Sequence, residues 1–223
     1  METYKQNFIT FLAESGALQF GDFVLKSGRK SPYFINTGLF ETGEQMATLG
    51  KYYAEAIRNE YKDDFDFIYG PAYKGIPLAL ATAISLAKDF GINKGYTFNR
   101  KEIKDHGDKK LLIGHQPKSG ERVVIIDDVI TDGGALVESM QLLQPLVSLK
   151  YVGVILSANR QEKTKEGKNA VKNFEDTYHM PIRFIVTIHE IMEFLLDREL
   201  NGKVLLDSNK HKQIQDYLNE YGV

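Results

Sequence analysis

The sequence predicts an α/β protein with a central, mainly parallel sheet flanked by helices, a small N-terminal cap and a flexible lid loop. Three observations predict it. Strand-like and helix-like segments alternate between residues 65 and 196 at the distances of right-handed βαβ units. The clearest strand, "VVIIDD" from Val123 to Asp128, opens as an unbroken branched apolar run, as expected where helices cover both faces of a sheet. Residues before 40 instead alternate in polarity and carry turn residues, which marks them as a separate β cap.

Each element has its own justification. Residues 3–14 place Phe8, Phe11 and Leu12 on one side of a helix. "FGDFVLKSGRKSPYFINTG" (20–38) reads as two short strands around the turn "SGRKSP". In 43–61, Met46, Leu49, Tyr53 and Ile57 are spaced for an amphipathic helix. "FDFIYGPA" (65–72) is a buried strand ending at Gly-Pro, and 74–90 is the helix behind it. "GYTFNR" (95–100) is a short strand, and 101–122 is charged, glycine-containing and weakly periodic. After "VVIIDD" come a helix in "GALVESMQLLQPLV", a strand at 150–160, and a strand running into a helix at 181–196. The division is 1–40 for the N-terminal helix and β cap, and 41–223 for the α/β core with a lid at about 101–120.

Composition narrows the function classes. A net charge of -2 over 223 residues gives no global electrostatic case for a nucleic-acid binder. Cysteine is absent, which removes disulfides, thiolate metal sites and a cysteine nucleophile together. The first 18 residues have no signal-peptide apolar region, and no apolar run is long enough for a membrane span. The expectation is a soluble, cytoplasmic globular protein.

In parallel sheets ligands bind outside the carboxyl ends of the strands. The segments to search are 70–75, 99–106, 127–135 and 157–161. "DDVITDGGAL" (127–136) sits at a strand-to-helix transition, where free amides and the helix dipole favour an anion. Gly133 and Gly134 let backbone approach a phosphate, and Thr131 adds a hydroxyl donor. Asp127 and Asp128 cannot hold phosphate directly. Paired carboxylates suit paired hydroxyls, such as a ribose, or a hydrated magnesium ion; a solvated acidic turn is the plainer alternative.

Three other segments are unusual. "FNRKEIKDHGDKK" (98–110) crowds Arg100, Lys101, Lys104, His106, Lys109 and Lys110 at a strand's carboxyl end. A charge run is ordinarily a solvated helix face or loop. At this place, followed by a glycine, it suits a hinged lid whose cations clamp a departing anion and exclude water. "YGPAYKGIP" (69–77) puts Tyr73 and Lys74 beside exposed backbone, a plain turn in isolation and an anion loop beside the other two. "LKSGRKSPYFIN" (25–36) combines Lys26, Arg29 and Lys30 with Tyr33 and Phe34. Strand aromatics are more often core, but with these cations they suit a planar, negatively charged heterocycle.

The run of four apolar residues, two acids and the loop Val129–Ile130–Thr131–Asp132–Gly133–Gly134–Ala135 resembles the phosphoribosyl pyrophosphate (PRPP) motif of type I phosphoribosyltransferases. With "LKSGRKSPYF", "GPAYKGIPLA", "FNRKEIKDHG" and "ANRQE" (158–162), in order and close to the family's spacing, the whole chain resembles the bacterial and fungal orotate phosphoribosyltransferases. The resemblance implies the type I phosphoribosyltransferase fold and the reaction of orotate with PRPP to orotidine 5'-monophosphate and pyrophosphate. It further implies Mg²⁺, a role in de novo pyrimidine synthesis, and a homodimer whose lid serves the neighbouring site. By residue, it implies that Asp127 and Asp128 hold the ribose hydroxyls and that 129–135 wrap the 5-phosphate. Tyr73, Lys74 and Arg100 would face pyrophosphate, joined by Lys101, Lys104 and His106 from the partner's lid. Lys26 would serve both substrates, and Lys26, Phe34, Ile35, Thr131 and Arg160 would line the orotate pocket. Magnesium would be bound mainly through PRPP and water near Asp127 and Asp128, without an assigned direct protein ligand.

The chain departs from the family pattern in four places. Ile35 stands where an aromatic is common, Asn159 where Asp is usual, and Gly134 where threonine is usual. The lid's far side, "DKKLLIGHQPKSGE" (108–121), is longer and more basic. None removes a required charge. The rivals are a PRPP-dependent transferase for another base, which leaves Lys26 and Arg160 without a role, and a non-catalytic PRPP-sensing regulator. The latter needs an added nucleic-acid-binding segment or a broad basic face, and the sequence offers neither.

Overall fold

A computed structural model describes residues 1–25, 28–100 and 111–223. Helix α1 (Thr3–Glu14) leads into the hairpin β1 (Leu18–Val24) and β2 (Lys30–Ile35), then a 3-10 turn and α2 (Gly43–Tyr61). The core continues with β3 (Phe67–Tyr69), α3 (Gly75–Phe90), β4 (Gly95–Asn99), β5 (Leu112–Gly114), β6 (Arg122–Asp127) and α4 (Gly134–Leu143). It closes with β7 (Lys150–Asn159), α5 (Ala170–Tyr178), β8 (Ile182–Thr187) and α6 (Ile188–Leu195). A short hairpin, β9 (Glu199–Leu200) and β10 (Lys203–Val204), precedes α7 (Ser208–Tyr221).

Among the described residues the central sheet has six strands in the order β5-β4-β3-β6-β7-β8. All its pairings are parallel except β4 with β5. Strand β6 explains its own sequence. Side chains alternate across a strand, so Val124 and Ile126 join the buried cluster under α1, α2, α3 and α6, whereas Val123 and Ile125 join the one under α4 and α5. All four are fully buried. With a helix layer on each side, neither face can be polar.

Close packing requires small residues at defined points. A Cβ on Gly50 of α2 would stand 2.6 Å from the backbone of Ala81 in α3, so this glycine sets the approach of the two helices. Helix α2 starts where Thr42 accepts from the Gln45 amide and the Gln45 side chain returns to the Thr42 amide, a capping box.

The β1–β2 hairpin forms its own sheet. Helix α1 buries Phe8, Ile9 and Leu12, and the hairpin buries Leu18, Tyr33 and Ile35, in the same cluster as Ile185 and Ile188 of the core. The hairpin is backed by α7, where Tyr217 meets Tyr33 edge-on with ring centroids 6.0 Å apart.

Several boundaries move for physical reasons. The strand expected over 65–72 is three residues long, since Gly70 and Pro71 already belong to the turn. The helix expected over 134–147 stops at Leu143 because Pro145 has no amide to donate and disfavours helix before it. Of the segment expected as a lid, 101–120, residues 101–110 lie outside the described residues and part of the remainder is strand. Leu112 to Gly114 pair with Asn99 to Thr97 as an edge strand, so this part is fixed to the sheet. Among the described residues no helix is long and apolar enough to cross a membrane.

Candidate active site

The β6 backbone is held where the acids emerge. Tyr53 of α2 donates its hydroxyl to the Asp127 carbonyl at 2.8 Å. Ser157 of β7 donates both amide (2.9 Å) and hydroxyl (2.6 Å) to the Asp128 carbonyl. Asp128 is 8 % exposed, and one of its oxygens accepts from the Val129 amide at 2.8 Å. The other oxygen meets Lys74 Nζ at 2.5 Å and Thr37 Oγ1 at 3.4 Å. Asp127 has a carboxylate oxygen turned back to the Asp128 amide at 2.9 Å.

Lys74 arrives on the turn between β3 and α3. A Cβ on Gly75 would lie 2.6 Å from the Gly70 carbonyl carbon, so only glycine lets the turn close this tightly. The Ala72–Tyr73 peptide is cis. Tyr73 is 65 % exposed at the tip. Together Tyr73, Lys74, Arg100, Asp127, Asp128 and Ala135 line a cavity of about 590 Å³ at the carboxyl ends of β3, β4 and β6. Arg100 Nε is buried and has no hydrogen-bond partner among the described residues. A buried cationic donor without a partner costs free energy until an anion supplies one.

Past the acids, Val129 and Ile130 are half-buried, whereas Thr131 and Asp132 are exposed. Gly133 has φ +88, a left-handed conformation that glycine adopts without steric cost, and Gly134 opens α4. Asp132 Oδ1 accepts from the Gly134 amide at 2.9 Å, and a Cβ on Gly134 would stand 3.3 Å from that same oxygen. The departure at 134 thus leaves room for the Asp132 side chain to brace the loop.

The hairpin reaches the acids through Thr37, two residues beyond Ile35. Alternation along β2 sends Tyr33 and Ile35 inward, Ile35 being 7 % exposed, so little of Ile35 beyond its backbone can face a ligand. Phe34 points the other way and stacks on Phe23 at 5.5 Å. Arg160, just past β7, lies over the Tyr33 ring at 4.5 Å. Its Nε and Nη2 donate to Glu162 Oε1 at 3.0 and 2.6 Å, and Nη2 also donates to Ser31 Oγ at 3.1 Å. No such partner of Nη1 is found among the described residues. Asn159 Oδ1 accepts from the Gln161 amide at 2.8 Å, a support for the Arg160 turn that an aspartate would also give.

The structure therefore brings Tyr73, Lys74, Arg100, Asp127, Asp128 and Ala135 to one cavity wall. Phe34 and Arg160 stand on the hairpin side, outside that wall. Lys26, Lys101, Lys104 and His106 lie outside the described residues, although their neighbours Arg100 and Leu111 are joined by a 2.8 Å backbone hydrogen bond. Sequence reasoning missed Thr37, Tyr53, Ser157 and Glu162, which hold the candidate residues. Tyr53 carried the helix period only; nothing local marked its hydroxyl.

Burial first, and the neighbouring Asp128 carboxylate second, push Asp127 up from 3.8 to about 6; the Asp128 amide and Lys74 act the other way. As for a cation, no group of three or more His, Cys, Asp or Glu among the described residues could cage one. Two adjacent carboxylates, one already paired with Lys74, fit a magnesium ion that takes most of its ligands from substrate oxygens and water.

A cation turn, an acid pair and a glycine-turned loop around one cavity on a parallel sheet are the parts of a phosphoribosyltransferase. The phosphoribosyl transferase domain family matches residues 38–190. The chain is 45% identical to the orotate phosphoribosyltransferase of Clostridium botulinum over 222 residues, covering 100% of this chain and 99% of that protein. It is likewise 45% identical over 223 residues to that of Clostridium acetobutylicum, covering both chains fully. The crystal structure of the Francisella tularensis orotate phosphoribosyltransferase superposes with a TM-score of 0.83 at 37% identity, covering 97% of this chain and 100% of that one. The chain belongs to the orotate phosphoribosyltransferase family.

The raised Asp127 carboxyl has a stability consequence with a definite sign. Between 3.8 and about 6 the folded protein binds more protons than the unfolded chain, so stability falls as pH rises through that window. Asp127→Asn removes this penalty. Its melting temperature at pH 7.5 should exceed the parent's by on the order of 5 °C, and the gap should close as pH is lowered to 4. A pH-independent difference in calorimetric melting would contradict the assignment.

Proposed function

We propose that this protein transfers the 5-phosphoribosyl group of PRPP to orotate, giving orotidine 5'-monophosphate and pyrophosphate, as a step of de novo pyrimidine synthesis. The observation that carries the proposal is the cavity where Lys74 and Arg100 face Asp127 and Asp128, in a chain of this family. In the reaction a ring nitrogen of orotate gives up its proton to water and bonds to the ribose anomeric carbon while the bond to pyrophosphate breaks, its electron pair leaving with pyrophosphate. Such a displacement needs charge stabilisation at the leaving group more than a nucleophilic side chain.

The roles follow from chemistry and position. Asp127 and Asp128 accept from the ribose hydroxyls, and the arriving sugar competes with Lys74 for Asp128. Val129, Ile130, Thr131, Asp132, Gly133, Gly134 and Ala135 hold the 5-phosphate by amides at the start of α4. Tyr73, Lys74 and Arg100 hold pyrophosphate. Lys101, Lys104 and His106 add charge as it departs, by electrostatics or proton donation. Lys26, Phe34, Ile35, Thr131 and Arg160 line the base pocket, with Nη1 of Arg160 toward the orotate carboxylate and Ile35 contributing backbone. Magnesium, held near Asp127 and by PRPP itself, would neutralise pyrophosphate charge.

The proposed assembly is a cytoplasmic homodimer with lids exchanged. Exposed Leu80 and Ile84, four residues apart on α3, support a second copy covering that face.

Two experiments test this reading. Orotate should be consumed with PRPP and Mg²⁺ whereas hypoxanthine and uracil are not; turnover of either rival without orotate would sink the assignment. Equal mixing of Asp128→Ala and Lys104→Ala subunits, each nearly inactive, should restore roughly a quarter of parental activity by random pairing in a two-fold dimer. No recovery in verified mixed dimers would count against lids acting in trans.

A further inference from the structure

We propose that Asn99 is a positioning residue that ties the two pyrophosphate-facing segments to each other. This rests on the proposed reaction, but its basis is geometric. Asn99 is the last residue of β4, 9 % exposed and on the cavity wall. Its Oδ1 accepts twice, from the Tyr69 hydroxyl at the end of β3 (2.8 Å) and from the Ala72 amide in the β3–α3 turn (3.0 Å). Its Nδ2 donates to the carbonyl of Arg100 at 3.2 Å.

One buried amide thus joins the Tyr69 side chain to two backbone groups, the Ala72 amide and the Arg100 carbonyl. The Ala72 amide lies one residue before Tyr73 and two before Lys74, whose ammonium reaches Asp128. Arg100 follows Asn99 directly and carries the Nε that has no partner among the described residues. Only a side chain with both a two-lone-pair acceptor and a donor meets this demand. A carboxylate would accept from Tyr69 and Ala72 but would repel the Arg100 carbonyl. An apolar residue would strand all three groups. Asn99 touches no substrate in this account; it fixes the spacing between two cations that must meet the same pyrophosphate.

The expected signature is selective. In Asn99→Ala, KM for PRPP and the dissociation constant of inorganic pyrophosphate should each rise about tenfold, the loss expected for one charge-assisted contact set out of register. KM for orotate should change less than about twofold, since the base pocket is built from the hairpin and Arg160. Tyr69→Phe removes one of the three bonds and should shift the same two constants by a smaller factor, serving also if Asn99→Ala does not fold. A merely structural role predicts the opposite pattern: a lower melting temperature and less folded protein, with both constants unchanged in the folded fraction of either variant. That result overturns the inference. Pyrophosphate titration by calorimetry reads the effect without turnover. A parent that binds pyrophosphate but ignores orotate would therefore sink the functional reading and leave Asn99 separately decided.

Discussion

Delivering two adjacent carboxylates to the mouth of a fully buried strand is the constraint on which the rest of this structure depends. Charged groups resist leaving water, and Asp127 responds by holding its proton up to about pH 6. The backbone beneath the acids is anchored from two sides. Tyr53 from the helix layer and Ser157 from the next strand grip the two carbonyls. Lys74 and the Val129 amide take up the Asp128 carboxylate.

Around those acids each strand end contributes a distinct chemical part. The β3 end supplies a glycine-tightened cation turn, the β4 end supplies Arg100, and the β6 end supplies the acids and the loop after them. The hairpin and α7 stand as a second wall. Its link to the core is a compact set of contacts in which Tyr33, Arg160 and Ser31 all meet Glu162 or one another. A substrate with a sugar, two kinds of phosphate and a charged base can be held at several places without any one element touching all of them. Catalysis by charge placement suits such a division, since each cation needs only position.

What the sequence made legible follows from this division. Strand β6 and its loop were readable because burial on both faces, paired acids and glycine are each local signals. The β3–α3 turn was readable through its glycines and lysine. Strand β5 was not: it is three residues long, and its identity comes from pairing with β4 rather than from its own pattern. Helices α5 and α7 also went unread: α5 is nine residues long with only Ala170 and Phe174 buried, and α7 buries Ile214, Tyr217 and Leu218. Glu162 and Ser157 looked like ordinary polar residues. Their importance lies in partners 129 and 29 positions away, the Tyr33 hydroxyl for Glu162 and the Asp128 carbonyl for Ser157, which no local pattern reports.

The central claim is that the acids hold the sugar and the cations hold the phosphates. Calorimetric titration of Asp128→Asn separates these directly. PRPP should bind about tenfold more weakly or worse, since charge-assisted bonds to its ribose are lost. Inorganic pyrophosphate should bind as in the parent or more tightly, because Lys74 is released from its 2.5 Å pairing with Asp128. Equal weakening of both ligands, or weakening of pyrophosphate alone, would contradict the account.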